Sequence, residues 1–157
     1  WKGTTIAPNE QRYATLDGMA YMRTARAADY AAIKWVNARI KGRPVLAEGV
    51  GGSYTEFARI SAHTGLPTVL GWPFHEAQWR GGSDLYAGRE EDIRALYSAR
   101  TWTEVLPILD KYNIQYVYVG PMEISEYGPA GTAKFEAQMT VVYERDGVVI
   151  YEMGNDE

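Results

Sequence analysis

Apolar positions recur along the chain with two alternating periods, and the alternation outlines an α/β domain. Ala32, Ile33, Val36 and Ile40 fall at helical spacing behind Asp29, an N-cap candidate, and Lys41–Gly42 ends that stretch. The short run Pro44–Glu48, bounded by glycines, has the size of a buried strand. Ser53 and Glu56 match the S-x-x-E capping box and predict a second helix, with Phe57 and Ile60 toward the sheet and a stop at Thr64–Gly65. Pro67–Gly71 then reads as a second strand, which completes a parallel βαβ unit. A long loop is expected from Trp72 to Gly88. Glu90 to Asp92 and Arg100 bracket the next helix in the order its dipole favours.

Thr101 and Glu104 cap a further helix carrying Val105, Leu106, Leu109 and Tyr112, with Pro107 tolerable only in its first turn. Ile114–Gly120 is apolar on both faces apart from Gln115, as a covered central strand would be. Thr140–Glu144 and Val148–Glu152 flank Arg145–Asp146–Gly147, a hairpin signal. Residues 1–15 lack periodicity and read as an extended lead-in. The expected fold is α/β and three-layered: a small, mostly parallel sheet built from three βα units, flanked by helices, with a C-terminal antiparallel hairpin. Residues 1–157 form one domain on this reading.

Composition narrows the partners. With 157 residues and 46% apolar content there is material for one well-buried core. A net charge of -4 supplies no basic field for nucleic acid or for an anionic membrane surface. The absence of cysteine excludes disulfides and thiolate metal sites. No window approaches the roughly 18 consecutive apolar residues of a membrane span. The chain opens on Trp1 rather than on methionine, as a domain cut from a longer polypeptide would.

Open parallel sheets bind ligands beyond the carboxyl ends of their strands, where Glu48–Tyr54, Trp72–Gly82 and Gly120–Glu123 are expected to meet. In the first segment, E-G-V-G-G-S-Y sets three glycines ahead of a helix. That pattern suits a tight turn that needs glycine, and after it a bound anion. The spacing is not G-x-G-x-x-G and no P-loop lysine follows, so no nucleotide cofactor is implied. Glu48 at the strand end suits a partner such as Arg59, Arg80 or a sugar hydroxyl. Ser53 reads as an N-cap.

The second segment, G-W-P-F-H-E-A-Q-W-R-G-G, combines Trp72 and Trp79 with Phe74, His75, Glu76, Gln78 and Arg80. Aromatic planes among amides, carboxylates and a guanidinium are what a polyhydroxy ligand such as a sugar needs; the alternative is a loop pinned by its own aromatics. His75, Glu76 and Glu48 are the candidate acid–base groups. H-E-A-Q-W lacks the second histidine of H-E-x-x-H, and no metal site is expected. His63, at a helix C-terminus, reads as structural. G-G-S-Y-T is not a nucleophile elbow.

The segments T-L-D-G-M-A-Y-M, G-R-P-V-L-A-E-G-V-G-G-S-Y-T-E-F-A-R-I-S-A-H-T-G-L-P-T-V-L-G-W-P-F-H-E-A-Q-W-R-G and K-Y-N-I-Q-Y-V-Y-V-G resemble the C-terminal soluble region of the uncharacterised "YYY" membrane proteins of Chloroflexi and archaea. The resemblance spans roughly Thr15 to Tyr127. Those proteins carry many transmembrane helices before this region and are similar to membrane glycosyltransferases that use lipid-linked sugar donors. The resemblance implies an extracytoplasmic domain on the outer face of the membrane, partnered by the membrane-embedded part of the same polypeptide, where the catalytic carboxylate of such enzymes lies. It picks out Glu48, Ser53, Tyr54, Thr55, Arg59, Gly65, Leu66, Pro67, Gly71, Trp72, His75, Glu76, Gln78, Trp79 and Arg80; Val50–Gly51 and Phe57 depart mildly from its pattern.

Three functions are therefore in view. The first is an accessory domain of a membrane glycosyltransferase that recognises an acceptor or a lipid-phosphate-sugar, with Arg80 on the phosphate and no turnover by the domain alone. The second is a structural or docking module with no ligand of its own. The third is a free-standing hydrolase or nucleotide-binding transferase using Glu48, His75 and Glu76.

Overall fold

The computed structural model describes residues 17–53, 55–82 and 87–154, the side chain of Arg80 excepted. The expected lead-in over residues 1–15 and the site candidate Tyr54 lie outside the described residues. Helices α1 (Ala20–Ala25) and α2 (Ala27–Arg39) lead into strand β1 (Val45–Ala47). Helices α3 (Arg59–Thr64), α4 (Pro73–Arg80), α5 (Arg89–Ser98) and α6 (Trp102–Tyr112) follow before β2 (Ile114–Val119). Then come α7 (Pro121–Tyr127), a 3-10 turn at Pro129–Gly131, α8 (Ala133–Gln138) and the hairpin β3 (Thr140–Arg145) and β4 (Val148–Glu152).

The strands align in the order β1-β2-β4-β3. Only β1 and β2 are parallel, with Leu46 opposite Tyr116, while β2/β4 and β3/β4 are antiparallel. The mostly parallel sheet of the sequence reading is thus corrected to a mixed sheet with one parallel pair. The hairpin makes the difference: it folds back so that β4, not a third βα strand, takes the place beside β2. Its turn is set by local chemistry, since Asp146 and Gly147 both adopt positive φ (52° and 78°), as a two-residue type I′ turn requires.

The strand expected at Pro67–Gly71 does not form. Val69 and Leu70 are buried as expected of an apolar run, but the backbone is satisfied elsewhere: Leu46 N–H donates to Pro67 O at 3.0 Å and Arg89 donates to Val69 O at 2.9 Å. Pro67 has no N–H to contribute to a ladder. Burial and strand pairing are separable, and the apolar run reports only the first.

Both faces of the sheet are covered, which confirms three layers. Alternate residues of each strand go to opposite sides. Leu46, Tyr118, Val148 and Ile150 pack with Ile33, Val36 and Ile60 of α2 and α3. Ala47, Val117, Val119 and Tyr151 pack with Ile93, Leu96, Val105, Leu109 and Phe135 of α5, α6 and α8. The Thr101/Glu104 capping box of α6 is present as expected. Pro107 lies within that helix, beyond its first turn, so one intrahelical bond is forgone.

Two expected N-caps are corrected. Asp29 sits in the first turn of α2, 3% exposed, with its carboxylate turned into the interior. The Ser53/Glu56 box does not start α3, which begins later, after Ala58 in the left-handed region at φ 63°. Glu56 instead accepts from Tyr21 Oη at 2.5 Å and pairs with Arg26. Ser53 caps a different helix: its Oγ accepts from the N–H of Phe74, in the first turn of α4, at 2.9 Å.

Candidate functional site

Glycines 51 and 52 follow β1 across the carboxyl end of the sheet and form one wall of an open cleft of about 480 Å³. Val50, Ser53 and Phe57 continue that wall, Pro73 and Phe74 of α4 close one side, and Glu90 and Arg94 of α5 face in together with Glu126 of α7. The cleft stands where the topology rule puts it, beyond β1 and β2; two of the three predicted segments contribute to it, whereas Gly120–Glu123 does not line it. Gly51 is required sterically: a Cβ there would lie 2.2 Å from the Phe57 ring. Phe74 is 59% exposed at the edge of the cleft. Glu90, Arg94 and Glu126 are all exposed, and none has a hydrogen bond or ion pair to another described residue.

The wall is held from beneath by a buried ionic cluster. Arg59 donates to Glu123 Oε1 at 3.1 Å and to Glu123 Oε2 at 3.0 Å, and its Nη2 also donates to Asp29 Oδ1 at 3.1 Å. Arg59 Nε lies 3.0 Å from Asp29 Oδ2, within ion-pair range but misaligned for a hydrogen bond. Tyr118 Oη donates to Asp29, and the guanidinium lies over the Tyr118 ring. Burial alone would lower the pKa of Arg59, but the charges and hydrogen bonds of Glu123 and Asp29 outweigh it and raise it, so the cation is secure. Burial, then Asp29, pushes the Tyr118 phenol well up.

Glu123 also accepts from the N–H of Gly49 at 3.1 Å and of Gly120 at 3.0 Å, and Tyr127 Oη accepts from the N–H of Val50 at 2.9 Å. The cluster thereby sets the backbone that continues into the glycine wall.

Glu48 is wholly buried, and its two oxygens accept from the N–H groups of Ile60 at 2.8 Å and Ser61 at 2.7 Å, at the start of α3. Burial raises its pKa, offset in part by those bonds. Its partner is the helix terminus and not the Arg59 side chain, so the expectation of a sugar-facing or acid–base carboxylate is corrected. Arg59 likewise belongs to the interior.

The Trp72–Gly82 segment, expected as a loop, is largely the helix α4. Pro73 stands at its first position, Glu76 reaches back to accept from Gly71 N–H at 2.8 Å, and Gly81 ends it at φ 78°. Helical spacing puts Trp72, His75 and Trp79 in one row, with the His75 ring 6.1 Å from Trp72 and 6.0 Å from Trp79 between centroids. Trp72 Nε1 donates to Phe57 O at 2.6 Å. Trp79 is 79% exposed and Gln78 is exposed. The fold thus separates the predicted set. Ser53 reaches the cleft; Glu48 and Arg59 lie under it; Trp72, His75, Glu76, Gln78 and Trp79 form the flank beside it without lining it.

Sequence reasoning missed Glu90, Arg94 and Glu126 as cleft residues. Glu90 and Arg94, four apart on α5, carried the signal of an exposed i,i+4 helix face, which says nothing about what the face borders. Among the described residues no group of three His, Asp or Glu side chains is placed to hold a metal ion, and no helix is long and apolar enough to cross a membrane.

No family model and no curated protein matches the chain. Among solved structures, it is similar to the C-terminal globular domain of an oligosaccharyltransferase from Archaeoglobus fulgidus, with a TM-score of 0.49 and 15% sequence identity over 79% of this chain and 95% of that one.

Proposed function

We propose that this chain is an accessory domain of a membrane glycosyltransferase, standing at the outer face of the membrane and contributing recognition of an acceptor or a lipid-phosphate-sugar. The observation that carries this reading is the cleft. It combines one guanidinium and two carboxylates that have no hydrogen bond or ion pair among the described residues with an exposed Phe74 ring above a glycine wall. Arg94 offers a donor fork for a phosphate, Glu90 and Glu126 accept from hydroxyls, and Phe74 covers the C–H face of a sugar ring. The sequence resemblance supplies the membrane context. Glu48, with both oxygens spent on α3, does not support a free-standing acid–base enzyme, and the domain is expected to bind without turnover.

The test is titration of the 157-residue chain with glucose 1-phosphate and with methyl glucoside, followed by amide chemical shifts. Shifts at Gly51, Gly52 and Phe74, weakened at least tenfold for the phosphate by Arg94→Ala, are expected. Absence of binding by both probes overturns the reading.

A second reading is favoured by Trp79, whose 79% exposure is unusual for an aromatic of that size. In it α4 docks onto the membrane-embedded part of the same polypeptide. Trp79 would then be shielded from an aqueous fluorescence quencher in the full-length protein and open to it in this chain.

A further inference from the structure

Phe57 lines two cavities. On one side is the polar cleft; on the other is a pocket of about 290 Å³ between α1 and α3, bounded by Tyr21, Met22, Ala58, Ala62, His63 and Trp72 among others. Trp72 borders the pocket and the next residue, Pro73, borders the cleft, so the two are neighbours across a single ring and one turn of backbone.

Their chemistry is opposite. The polar groups at the pocket, the His63 imidazole apart, are already committed: Glu56 to Tyr21 and Arg26, Arg59 to Glu123 and Asp29, Trp72 Nε1 to Phe57 O and Thr55 Oγ1 to Gly52 O. What remains is an apolar surface with little capacity to hydrogen-bond a guest. A peptide segment would leave its own N–H and C=O groups unsatisfied there, at a cost for each. A hydrocarbon chain has no such demand. Filled only as densely as a simple organic liquid, about half occupied, the volume suits about eight carbons.

We propose that this pocket holds the proximal aliphatic chain of an amphiphile whose polar head lies in the neighbouring cleft. The inference rests on the carbohydrate reading of that cleft. It adds a second subsite and a physical basis for selecting chain-bearing over free sugars: each methylene moved from water into the pocket strengthens binding by about fourfold, until the pocket is full.

The probes are methyl, hexyl, octyl and decyl β-glucosides below their micelle concentrations, and 1-octanol, titrated into the isotopically labelled 157-residue chain. Methyl glucoside is expected to shift Gly51, Gly52 and Phe74 alone. Hexyl and octyl glucoside are expected to add Ala62, His63 and the Trp72 indole, with affinity rising by chain length and levelling off near eight carbons; 1-octanol is expected to shift the second set only. Ala62 is exposed on α3 and lines the pocket, so Ala62→Phe fills it with little disturbance of the core. That variant is expected to abolish the dependence on chain length and leave the affinity for methyl glucoside unchanged.

Affinity independent of chain length, or a dependence that survives Ala62→Phe, overturns the inference and leaves the cleft reading standing. Loss of methyl glucoside binding together with retained octanol shifts at Ala62 overturns the cleft reading and the amphiphile with it, and reduces the pocket to a site for a bare chain. A thermal melt of Ala62→Phe matching the parent shows that the variant is folded.

Discussion

Two arginines in this molecule each share a site with two carboxylates, Arg59 in the interior and Arg94 at the cleft, and their fates differ. Asp29, Arg59 and Glu123 are buried at 3%, 4% and 1% exposure and locked to one another and to backbone N–H groups. Glu90, Arg94 and Glu126 face an open cleft with no partner among the described residues. In the interior, desolvation makes each charge intolerable without its counterpart, so the three specify how α2, α3, α7 and β2 sit together. At the cleft, water solvates each charge, so nothing forces them to pair and all three stay available to a ligand. The same side-chain inventory serves architecture in one place and is left open to solvent in the other, and burial decides which.

Substitutions that treat the two sets alike should break this comparison most sharply. Glu123→Ala leaves Arg59 with only Asp29 and strips acceptors from Gly49 and Gly120; a loss of about 3–5 kcal/mol is expected, read as a fall in the urea midpoint. A stability within 1 kcal/mol of the parent would mean that the cluster does not hold the cleft wall. Ser53→Ala removes the acceptor from the Phe74 N–H at the start of α4, and a cost of about 1 kcal/mol is expected by analogy with lost N-caps.

Glu48 tests the interior by pH. Its pKa is raised in the folded state, chiefly by burial, above the ordinary value of 4.5. Its contribution is therefore complete below that value and is lost as pH rises through the folded value. Asp92, lowered by its bonds from Lys111 and Tyr112 against the opposing effect of burial, acts the other way, contributing above 3.8 and losing it as pH falls. Chemical denaturation between pH 4 and pH 8 should find Glu48→Gln less stable than the parent at the acid end, with the gap narrowing as pH rises; a gap that widens would contradict the direction of the shift. The smallest stability effect belongs to Arg94→Ala, expected within about 0.5 kcal/mol of the parent because its guanidinium is solvated. Equality of the Glu123 and Arg94 variants in stability would erase the distinction between the two triads.

Much of the fold was legible because it depends on short-range chemistry. The Thr101/Glu104 box, the Asp146–Gly147 turn, the apolar strand at Ile114–Val119 and the stripe Ala32, Ile33 and Val36 all depend on neighbours within a few positions, and each appears in the structure. The location of the cleft was legible for a related reason: glycines after a strand and an aromatic-rich segment after an apolar run both fall at the carboxyl end of the sheet. The sequence by itself therefore determined the elements with strong local signals, the covering of the sheet on both faces and the edge on which the cleft opens.

Tertiary structure decided the rest. Asp29 and Ser53 carry the ordinary signature of an N-cap, yet the partner of Asp29 is 30 positions away and that of Ser53 is 21. Glu48 looks like a strand-end carboxylate in reach of ligand, and only the approach of α3 shows that its oxygens are taken. Arg59 and Arg94 are indistinguishable as residues. What separates them is whether the chain folds over the side chain and removes its water, a long-range outcome that sequence-local patterns do not encode.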